Sequence, residues 1–171
     1  MKLNIGAGYK HVEGFASVDI RPETKPDYVA DLEQEGCLKA IRDDIVDEVV
    51  LSHTFEHISH IQGLMREIYR VCASGAIVRV ICPYWSHRSS VEDPTHVRMM
   101  TERSMMYFSK NTIGSDGLPF VKDYNFKTVS ITLIPDKNYQ YLADDPQKLL
   151  EESKKYLNVV EQIVYVLEVI K

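Results

Sequence analysis

Two glycines and two aspartates near the start of the chain have the types and the spacing of a nucleotide-binding site. Gly6 and Gly8 directly follow a short extended segment, where residues without a Cβ allow a tight turn and a close approach of a ligand to the backbone. Asp19 stands eleven residues after Gly8, at the end of a second extended segment, and Asp31 ends a third. A carboxylate at Asp19 can accept hydrogen bonds from both hydroxyls of a ribose, and one at Asp31 can accept from an adenine amino group.

Apolar residues beside these acids complete the pattern of an adenosine pocket. Ile20 and Leu32 each follow one of the aspartates and can enclose an adenine ring. Only about six residues separate Gly8 from the second strand. That is too few for a crossover helix, whose N-terminus would bind a dinucleotide pyrophosphate. The pattern favours a phosphate-free adenosyl cofactor over NAD. In the alternative interpretation the glycines form only a turn and the aspartates are solvated strand ends.

The run His53-Thr54-Phe55-Glu56-His57 offers a different chemistry. On a helix, His-x-x-Glu-His can place two imidazoles on one face to bind zinc, with the glutamate as base. A zinc hydrolase also needs a third protein ligand and an open coordination position, and His53 is predicted to end a strand rather than to lie in a helix. We therefore predict no metal site. His57 and His60 are interpreted as polar residues at a helix start, whereas His53 is expected at the ligand crevice.

A further group of titratable and aromatic side chains lies in the stretch 84–103, which has no sustained periodicity and follows a predicted strand. Long loops of this kind usually define a substrate. The arginines and acids of the loop balance in charge, which favours a small-molecule acceptor over nucleic acid. Unperturbed imidazoles titrate near neutrality and can act as general bases. The candidate substrate residues are Tyr84, Trp85, His87, Arg88, His96 and Arg98, and the candidate catalytic residues are His53, His87 and His96.

The elements that must position these residues alternate between strands and helices. Ser59 and Gln62 match a helix capping box, and Gly75 matches a helix C-terminal glycine. The alternation predicts an α/β fold with a mostly parallel, doubly wound sheet and helices on both faces, in three α/β/α layers. Strands are predicted at 2–5, 15–20, 27–30, 47–52, 76–82, 128–134 and 159–170, and helices at 59–72 and 146–157, with a weak helical pattern at 33–42.

Composition restricts the class of protein. A chain of 171 residues fits one domain, and a net charge of -5 gives no general attraction to nucleic acid. The sequence contains neither an apolar run of the roughly 18 residues needed to cross a bilayer nor a cationic and apolar leader, so a cytoplasmic protein is expected. The three cysteines are odd in number and lie in or beside apolar segments, which argues against a disulfide framework. The sequence has no CxxC pair, which argues against a zinc site built from cysteines.

Five blocks of the sequence keep a characteristic order and spacing: LNIGAGYKHVEGFASVDI, VADL, DEVVLSHTFEHI, LMREIYRVCASGAIVRVICP and DPTHVRMMT. Over residues 2–108 they resemble the class I S-adenosylmethionine-dependent methyltransferases. The resemblance implies a Rossmann-like, seven-stranded sheet with one antiparallel strand. It also implies that S-adenosylmethionine contacts Asn4 and Gly6-Ala7-Gly8 with its methionyl end, Asp19-Ile20 with its ribose, and Asp31-Leu32 and Ser52-His53 along the rest of the crevice.

We therefore predict one methyltransferase-like domain over residues 1–171, with a cofactor half at about 1–83 and the substrate loop and C-terminal strands at about 84–171. The predicted activity is methyl transfer from S-adenosylmethionine to a small molecule. An oxygen or carbon acceptor is favoured, because the Asn-Pro-Pro-Tyr block of members that methylate exocyclic or amide nitrogens is absent. The alternatives are a cofactor-binding protein without turnover and, less favoured, a zinc-dependent hydrolase. The uncovered site leaves room for a second copy of the chain, so the prediction allows a homo-oligomer.

Overall fold

A seven-stranded sheet of order β3-β2-β1-β4-β5-β7-β6 forms the centre of the computed structural model, which describes residues 1–114 and 120–171. The strands are β1 (Lys2–Ile5), β2 (Ala16–Asp19), β3 (Tyr28–Val29), β4 (Val46–Ser52), β5 (Cys72–Pro83), β6 (Phe126–Pro135) and β7 (Val160–Val169). The helices are α1 (Ile61–Val71), α2 (Ser89–Glu92) and α3 (Pro146–Ser153), and short 3₁₀ segments lie at Pro22–Thr24, Phe55–His57, Ser104–Phe108 and Lys137–Leu142. In the described ranges no helix combines the length and apolar character needed to span a membrane.

The pairing of the strands places a ligand crevice at the centre of the sheet. Strands β1 to β5 pair in parallel, whereas β7 is antiparallel to both of its neighbours, β5 and β6. Strand order reverses at β1, which pairs with β2 on one side and with β4 on the other. Ligands of open α/β sheets bind at such a switch point, beyond the carboxyl ends of the strands. The predicted mostly parallel sheet with one antiparallel strand is confirmed.

One face of the sheet carries the hydrophobic core. Ile5, Leu51, Val80 and Tyr165 are neighbours in register across four strands, and all four are fully buried. Helix α1 contributes buried residues at helical spacing to the same core: Leu64, Met65, Ile68 and Val71. Each such aliphatic side chain stabilises the fold by about 1.5 to 3 kcal/mol when it is removed from water. This core holds β4 and β5 rigidly, and the predicted functional residues extend from the ends of these strands.

The opposite face of the sheet is less covered. Val50, Ile81 and Val164 on this face are only half-buried. In a doubly wound sheet the connections from β1 to β2 and from β2 to β3 lay helices over it, but here they contain only turns and the Pro22–Thr24 3₁₀ segment. The predicted three-layer arrangement therefore needs one correction, because within the described residues these two connections are too short to form the second helical layer.

Both ends of α1 differ from the prediction. The residue before its first turn is His60, which makes no side-chain capping bond, and the predicted capping box is wrong. Instead, the Glu33 carboxylate accepts hydrogen bonds from the backbone N–H groups of Ser59 and His60, at 2.6 and 2.8 Å. At the other end the chain passes directly from Val71 into β5, where Gly75 lies inside the strand at φ 81° rather than after the helix. The helix start is thus capped by the carboxylate of Glu33, from a turn distant in sequence, and not by the neighbouring residues that were predicted to cap it.

Arg70 on α1 fastens the 33–42 segment, which forms turns rather than the weakly predicted helix. The Arg70 guanidinium donates to the backbone oxygens of Leu38 and Ile41, at 2.9 and 3.0 Å, and pairs with Asp43. It also donates to the Glu67 carboxylate at 2.8 Å, and Glu67 in turn accepts from the Leu38 N–H at 3.1 Å. These bonds replace the hydrogen bonds that a helix would have made within the segment.

Replacing Arg70 is expected to destabilise the protein. The change Arg70→Met keeps the aliphatic stem but removes the donors to Leu38 and Ile41, and should lower the free energy of unfolding by about 1 to 3 kcal/mol. Urea denaturation measures this change. The matched control is Arg66→Met on the same helix, because Arg66 is half-exposed and reaches only the exposed Asp123, at 3.4 Å. An equal loss in both variants would contradict the role given to Arg70.

The size of this loss should also depend on pH. The Arg70 guanidinium holds the pKa of Glu67 below its ordinary value of 4.5. A carboxylate with a lowered folded pKa stabilises the protein above its unfolded pKa, and that stabilisation is lost as the pH falls through the folded value. The difference between the wild type and Arg70→Met is therefore expected to be constant above about pH 5.5 and to shrink in more acidic urea titrations. A difference that is unchanged down to about pH 3 would refute this coupling.

Candidate functional site

The carboxyl ends of β1, β2 and β4 enclose a crevice of about 380 Å³, which we call the first crevice. Its volume lies in the range of small-molecule sites. Six of the predicted cofactor residues line it: Gly6, Asp19, Ile20, Asp31, Leu32 and His53. The remaining lining residues were not among the predicted site residues: Arg21, Glu33, Thr54, His57 and Ile58.

The other four predicted cofactor residues lie beside the first crevice rather than in its lining: Asn4, Ala7, Gly8 and Ser52. The Asn4 side chain is buried and donates to the Lys10 backbone oxygen at 2.9 Å. The Gly8 N–H donates to the Asp19 carboxylate at 2.7 Å. These bonds hold the short turn after β1 in place, where other α/β sheets have a helix.

Asp19 is already well supplied with hydrogen-bond donors. Besides the Gly8 N–H, it accepts from the backbone N–H and the Nε of Arg21, both at 3.0 Å. Burial opposes its ionisation, but these donors hold the pKa of Asp19 below its ordinary value, so the side chain is a carboxylate at neutral pH. A carboxylate accepts about four hydrogen bonds, and a longer contact from Arg21 Nη2, at 3.5 Å, occupies the fourth position of Asp19. A ligand hydroxyl would bind Asp19 by displacing this contact.

Gly6 and Thr54 pack together where β1 and β4 end. Gly6 has φ 72°, and a Cβ built on it would lie 2.1 Å from the Thr54 Oγ1 atom. The Thr54 hydroxyl fills this space and lies 3.3 Å from the Ile5 backbone oxygen, to which it donates. The preceding residue, His53, has φ 52°, a left-handed conformation that is uncommon for a residue with a side chain. Only glycine at position 6 allows the two strand ends to approach this closely.

A second crevice, of about 370 Å³, adjoins the first. The two crevices share His53 and His57 in their linings. The other residues of the second crevice are Glu56, Pro83, Ser89, Glu92, Asp93, His96, Glu161 and Gln162. Its lining therefore includes four carboxylates and neither lysine nor arginine.

Glu56 lies at the base of the second crevice. Its side chain is 1% exposed, and neither carboxylate oxygen has a hydrogen-bond partner within the described part of the chain. His53 Nδ1 lies 3.3 Å and His96 Nε2 lies 4.0 Å from Glu56 Oε1. Burial opposes the ionisation of Glu56, but the adjacent His53 holds its pKa below the ordinary value. The neighbouring Cys82 thiol has a raised pKa, through burial and the negative charge of Glu56, and so remains neutral.

The helical arrangement expected of a zinc hydrolase is not present in His53 to His57. His53 ends β4 in a left-handed conformation, and only Phe55–His57 form a single 3₁₀ turn. Glu56 was visible in the sequence as part of the His-x-x-Glu-His run, but nothing local indicated that its side chain is buried beside His96. The structure thus places two candidate catalytic residues, His53 and His96, next to the same carboxylate. That carboxylate belongs to Glu56, which was not among the predicted site residues.

The remaining residues of the predicted substrate loop lie elsewhere. His87 is buried, with its Nδ1 2.7 Å from the Ser89 hydroxyl and its Nε2 3.5 Å from Asp136. With Arg88 it lines another cavity, of about 590 Å³, which shares Glu161 with the second crevice but no lining residue with the first. His87 and Arg88 are therefore not gathered with His53 and His96 in the second crevice.

Three further loop residues have contacts that explain their positions without a ligand. Tyr84 is buried in the core and its hydroxyl donates to Glu102 at 2.7 Å. The exposed ring of Trp85 packs at an angle on that of Tyr84. Arg98 donates to the backbone oxygens of Ile58 and Ser59, and lines a cavity of about 540 Å³ that shares no lining residue with the first crevice.

The fold and the sequence can be compared with known proteins. Residues 15–80, from before β2 into β5, match a family model described as a methyltransferase domain. No curated protein matches the sequence. Many solved structures share the fold.

Three of these structures illustrate the likeness. The chain is 17% identical to a SAM-dependent methyltransferase from Archaeoglobus fulgidus, over 98% of this chain and 85% of that one, with a TM-score of 0.69. It is 13% identical to an S-adenosylmethionine-dependent methyltransferase from Mesorhizobium loti, over 98% and 89% of the two chains, with a TM-score of 0.60. It is 12% identical to phosphoethanolamine N-methyltransferase 2 of Haemonchus contortus, in complex with phosphomonomethylethanolamine and S-adenosylhomocysteine, over 99% and 48%, with a TM-score of 0.57.

At these identities the solved structures establish only the fold. The family model shows in addition that the sequence of residues 15–80 is similar to that of a methyltransferase domain. The strand order and the crevice at its switch point agree with both. Residues 15–80 are thus similar to a methyltransferase domain, and the whole chain has the fold of the solved S-adenosylmethionine-dependent methyltransferases.

Proposed function

We propose that S-adenosylmethionine binds in the first crevice and that its methyl group passes to a small molecule in the second. The observation that carries this proposal is the pair of adjoining crevices with His53 and His57 in both linings. Methyl transfer needs the acceptor in line with the reacting carbon, so the acceptor must lie in a cavity that opens onto the cofactor. The larger cavity beside Arg98 does not meet this condition, because it shares no lining residue with the first crevice.

The residues of the first crevice fit an adenosyl group. Ile20, which is 56% exposed, and Leu32 both line this crevice and offer apolar surface to an aromatic ring. We assign the adenine to the space beside these two residues and its amino group to Asp31. A ribose hydroxyl is assigned to Asp19, where it replaces the long contact from Arg21 Nη2. The cofactor supplies an activated methyl group on a positively charged sulfur, so the chain's own task is to position the two reactants.

The charge of the second crevice narrows the class of acceptor. Its carboxylates come from Glu56, Glu92, Asp93 and Glu161, with no basic side chain in the lining to balance them. Phosphorylated molecules and nucleic acids are repelled by such a lining, whereas neutral or cationic molecules are not. We therefore propose a small, non-anionic acceptor. The methylated atom is proposed to be an oxygen or a carbon on the separate ground that the Asn-Pro-Pro-Tyr block is absent.

An oxygen acceptor must lose its proton, and His53 is placed to take it. His53 lines both crevices, and its Nδ1 lies 3.3 Å from Glu56 Oε1, so that the carboxylate can orient the ring and leave Nε2 as the basic nitrogen. This is the arrangement of a general base with an orienting acid. In this proposal residues up to about 83 bind the cofactor, and the loop after β5 completes the acceptor site. That a second copy of the chain covers the site, as in a homo-oligomer, stays a prediction.

Two measurements test the proposal together. Calorimetric titration with S-adenosylhomocysteine should give binding in the micromolar range or tighter. A screen of neutral hydroxylated compounds against their phosphorylated counterparts, with S-adenosylhomocysteine release as readout, should find turnover only among the uncharged set. Turnover of phosphorylated compounds or RNA would overturn the assignment of the acceptor, and cofactor binding without any turnover would favour a binding protein of this fold.

Gly6→Ala should weaken cofactor binding, because the new methyl group would displace Thr54 from between β1 and β4. We expect at least a tenfold loss of S-adenosylhomocysteine affinity in calorimetry. Gly14→Ala is the matched control, since Gly14 also has a positive φ, of 79°, but a Cβ there meets nothing within 4 Å. The control should cost about 1 kcal/mol of stability through backbone strain and leave affinity unchanged. Equal losses of affinity would show that the Thr54 contact is unimportant.

Asp19→Asn should weaken S-adenosylhomocysteine binding by about 10- to 100-fold, as expected for loss of a hydrogen bond to a charged group. Asp27→Asn controls for the structural part of this effect. Asp27 also accepts from a backbone N–H and a side chain, those of Ser17 at 2.7 and 2.8 Å, but it does not line the crevice. If both variants bind S-adenosylhomocysteine like the wild type, Asp19 does not hold the ribose.

His53→Asn should lower kcat for the best hydroxyl acceptor of the screen by about 10²- to 10⁴-fold, the usual contribution of a general base. Asparagine tolerates the left-handed backbone of position 53, so the turn should persist and S-adenosylhomocysteine affinity should change only a few-fold. His87→Asn tests the rival candidate. A large loss of kcat in that variant, with His53→Asn still active, would show that His87, beside Asp136, is the general base instead.

A further inference from the structure

In the part of the chain that the structure describes, the buried Glu56 carboxylate has two imidazoles as its nearest ionisable partners, those of His53 and His96, at 3.3 and 4.0 Å. Its two oxygens are inaccessible and accept no hydrogen bond there, and no lysine or arginine of the described ranges lies within ion-pair distance. Leaving a buried charged group without hydrogen bonds costs several kcal/mol. A bound cation would supply the missing partner.

Two imidazoles approach the same carboxylate with their proton positions already determined. His96 Nδ1 lies 3.1 Å from the Ser90 backbone oxygen, which can only accept, so this nitrogen carries the proton. The Thr95 hydroxyl donates to Asp93 at 2.6 Å, and it therefore accepts the proton of His57 Nδ1, 2.9 Å away. In both rings the other nitrogen, Nε2, is left with a free lone pair. Metal-binding histidines are held in this way, by a hydrogen bond from the remote ring nitrogen to a carbonyl or polar group.

We propose that Glu56, His57 and His96 bind a divalent transition-metal ion at the base of the second crevice. One ligand atom from each side chain lies within 4.8 Å of the other two. Bonds of about 2.0 to 2.1 Å around a tetrahedral ion bring ligand atoms to about 3.3 Å from one another, so small side-chain rotations close the site. His96 supplies the third protein ligand that the His-x-x-Glu-His run lacks by itself.

The donor set indicates the kind of ion. Two imidazole nitrogens and one carboxylate suit zinc, iron, cobalt or nickel, whereas magnesium and calcium prefer sites built from oxygen alone. Three protein ligands leave open positions, and the crevice that Glu56 and His96 line is the space that these positions face. An acceptor hydroxyl on the ion would have a lowered pKa and would give up its proton more readily to His53. This role in the reaction rests on the proposed function, whereas the metal site itself does not.

Titration of the full-length, chelator-treated protein with Zn²⁺ in a calorimeter tests the site. The wild type should bind one ion per chain with a dissociation constant below about 1 μM, and Glu56→Gln and His96→Ala should each weaken binding at least tenfold. His60→Ala is the matched control, because His60 is exposed, lies three residues from His57 and is not a proposed ligand; its variant should bind Zn²⁺ like the wild type. No stoichiometric binding by the wild type, or unchanged binding by both ligand variants, would overturn the proposal.

A second measurement on the wild type keeps the test independent of whether the variants fold. Co²⁺ should give visible d–d absorption without the thiolate charge-transfer band that binding through Cys37, Cys72 or Cys82 would produce; such a band would refute the assigned ligands. S-adenosylhomocysteine titration of the same samples separates the two proposals. Cofactor binding without Zn²⁺ binding defeats only the metal site, and Zn²⁺ binding without cofactor binding defeats only the proposed function.

Discussion

The contact between Thr54 and Gly6 is the constraint on which the functional end of the molecule depends. Because Gly6 has no side chain, the Thr54 hydroxyl can lie against the backbone where β1 ends, and the chain leaving β4 must turn there. The turn puts His53 in a left-handed conformation and starts the 3₁₀ segment that directs Glu56 inward. The two crevices adjoin at this turn, so a single close approach of backbone and side chain sets the geometry of both.

Charged side chains replace helical hydrogen bonds at several places in this small α/β fold. Asp19 holds the turn after β1, Glu33 caps α1, and Arg70 with Glu67 holds the 33–42 turns. Each carboxylate accepts donors that keep its pKa below the ordinary value, so it remains charged when folded at neutral pH. Short connections are thereby stabilised without a second helical layer, and Val50 and Ile81 on the less covered face remain half-buried.

The two crevices differ in the kind of interaction they offer. The first combines exposed apolar surface at Ile20 with the carboxylates of Asp19 and Asp31, a combination suited to an uncharged adenosine. The second concentrates negative charge around Glu56, which is buried and lacks hydrogen bonds in the described ranges. Negative charge without compensation in a low-dielectric site disfavours anions and stabilises cations. The proposed non-anionic acceptor and the proposed metal ion both rest on this one electrostatic property.

The sequence by itself determined the strands, their alternation with helices and the residues that follow β1, β2 and β3, because these depend on local hydrophobic period and on glycine at a turn. Six predicted cofactor residues consequently line one crevice. Only the tertiary structure decided which loop residues meet. Glu56 and His96 are forty positions apart, and Tyr84, His87 and Arg98 from the same loop face other surroundings. The direction of a side chain in an aperiodic loop is set by long-range contacts, which no local pattern of residues encodes.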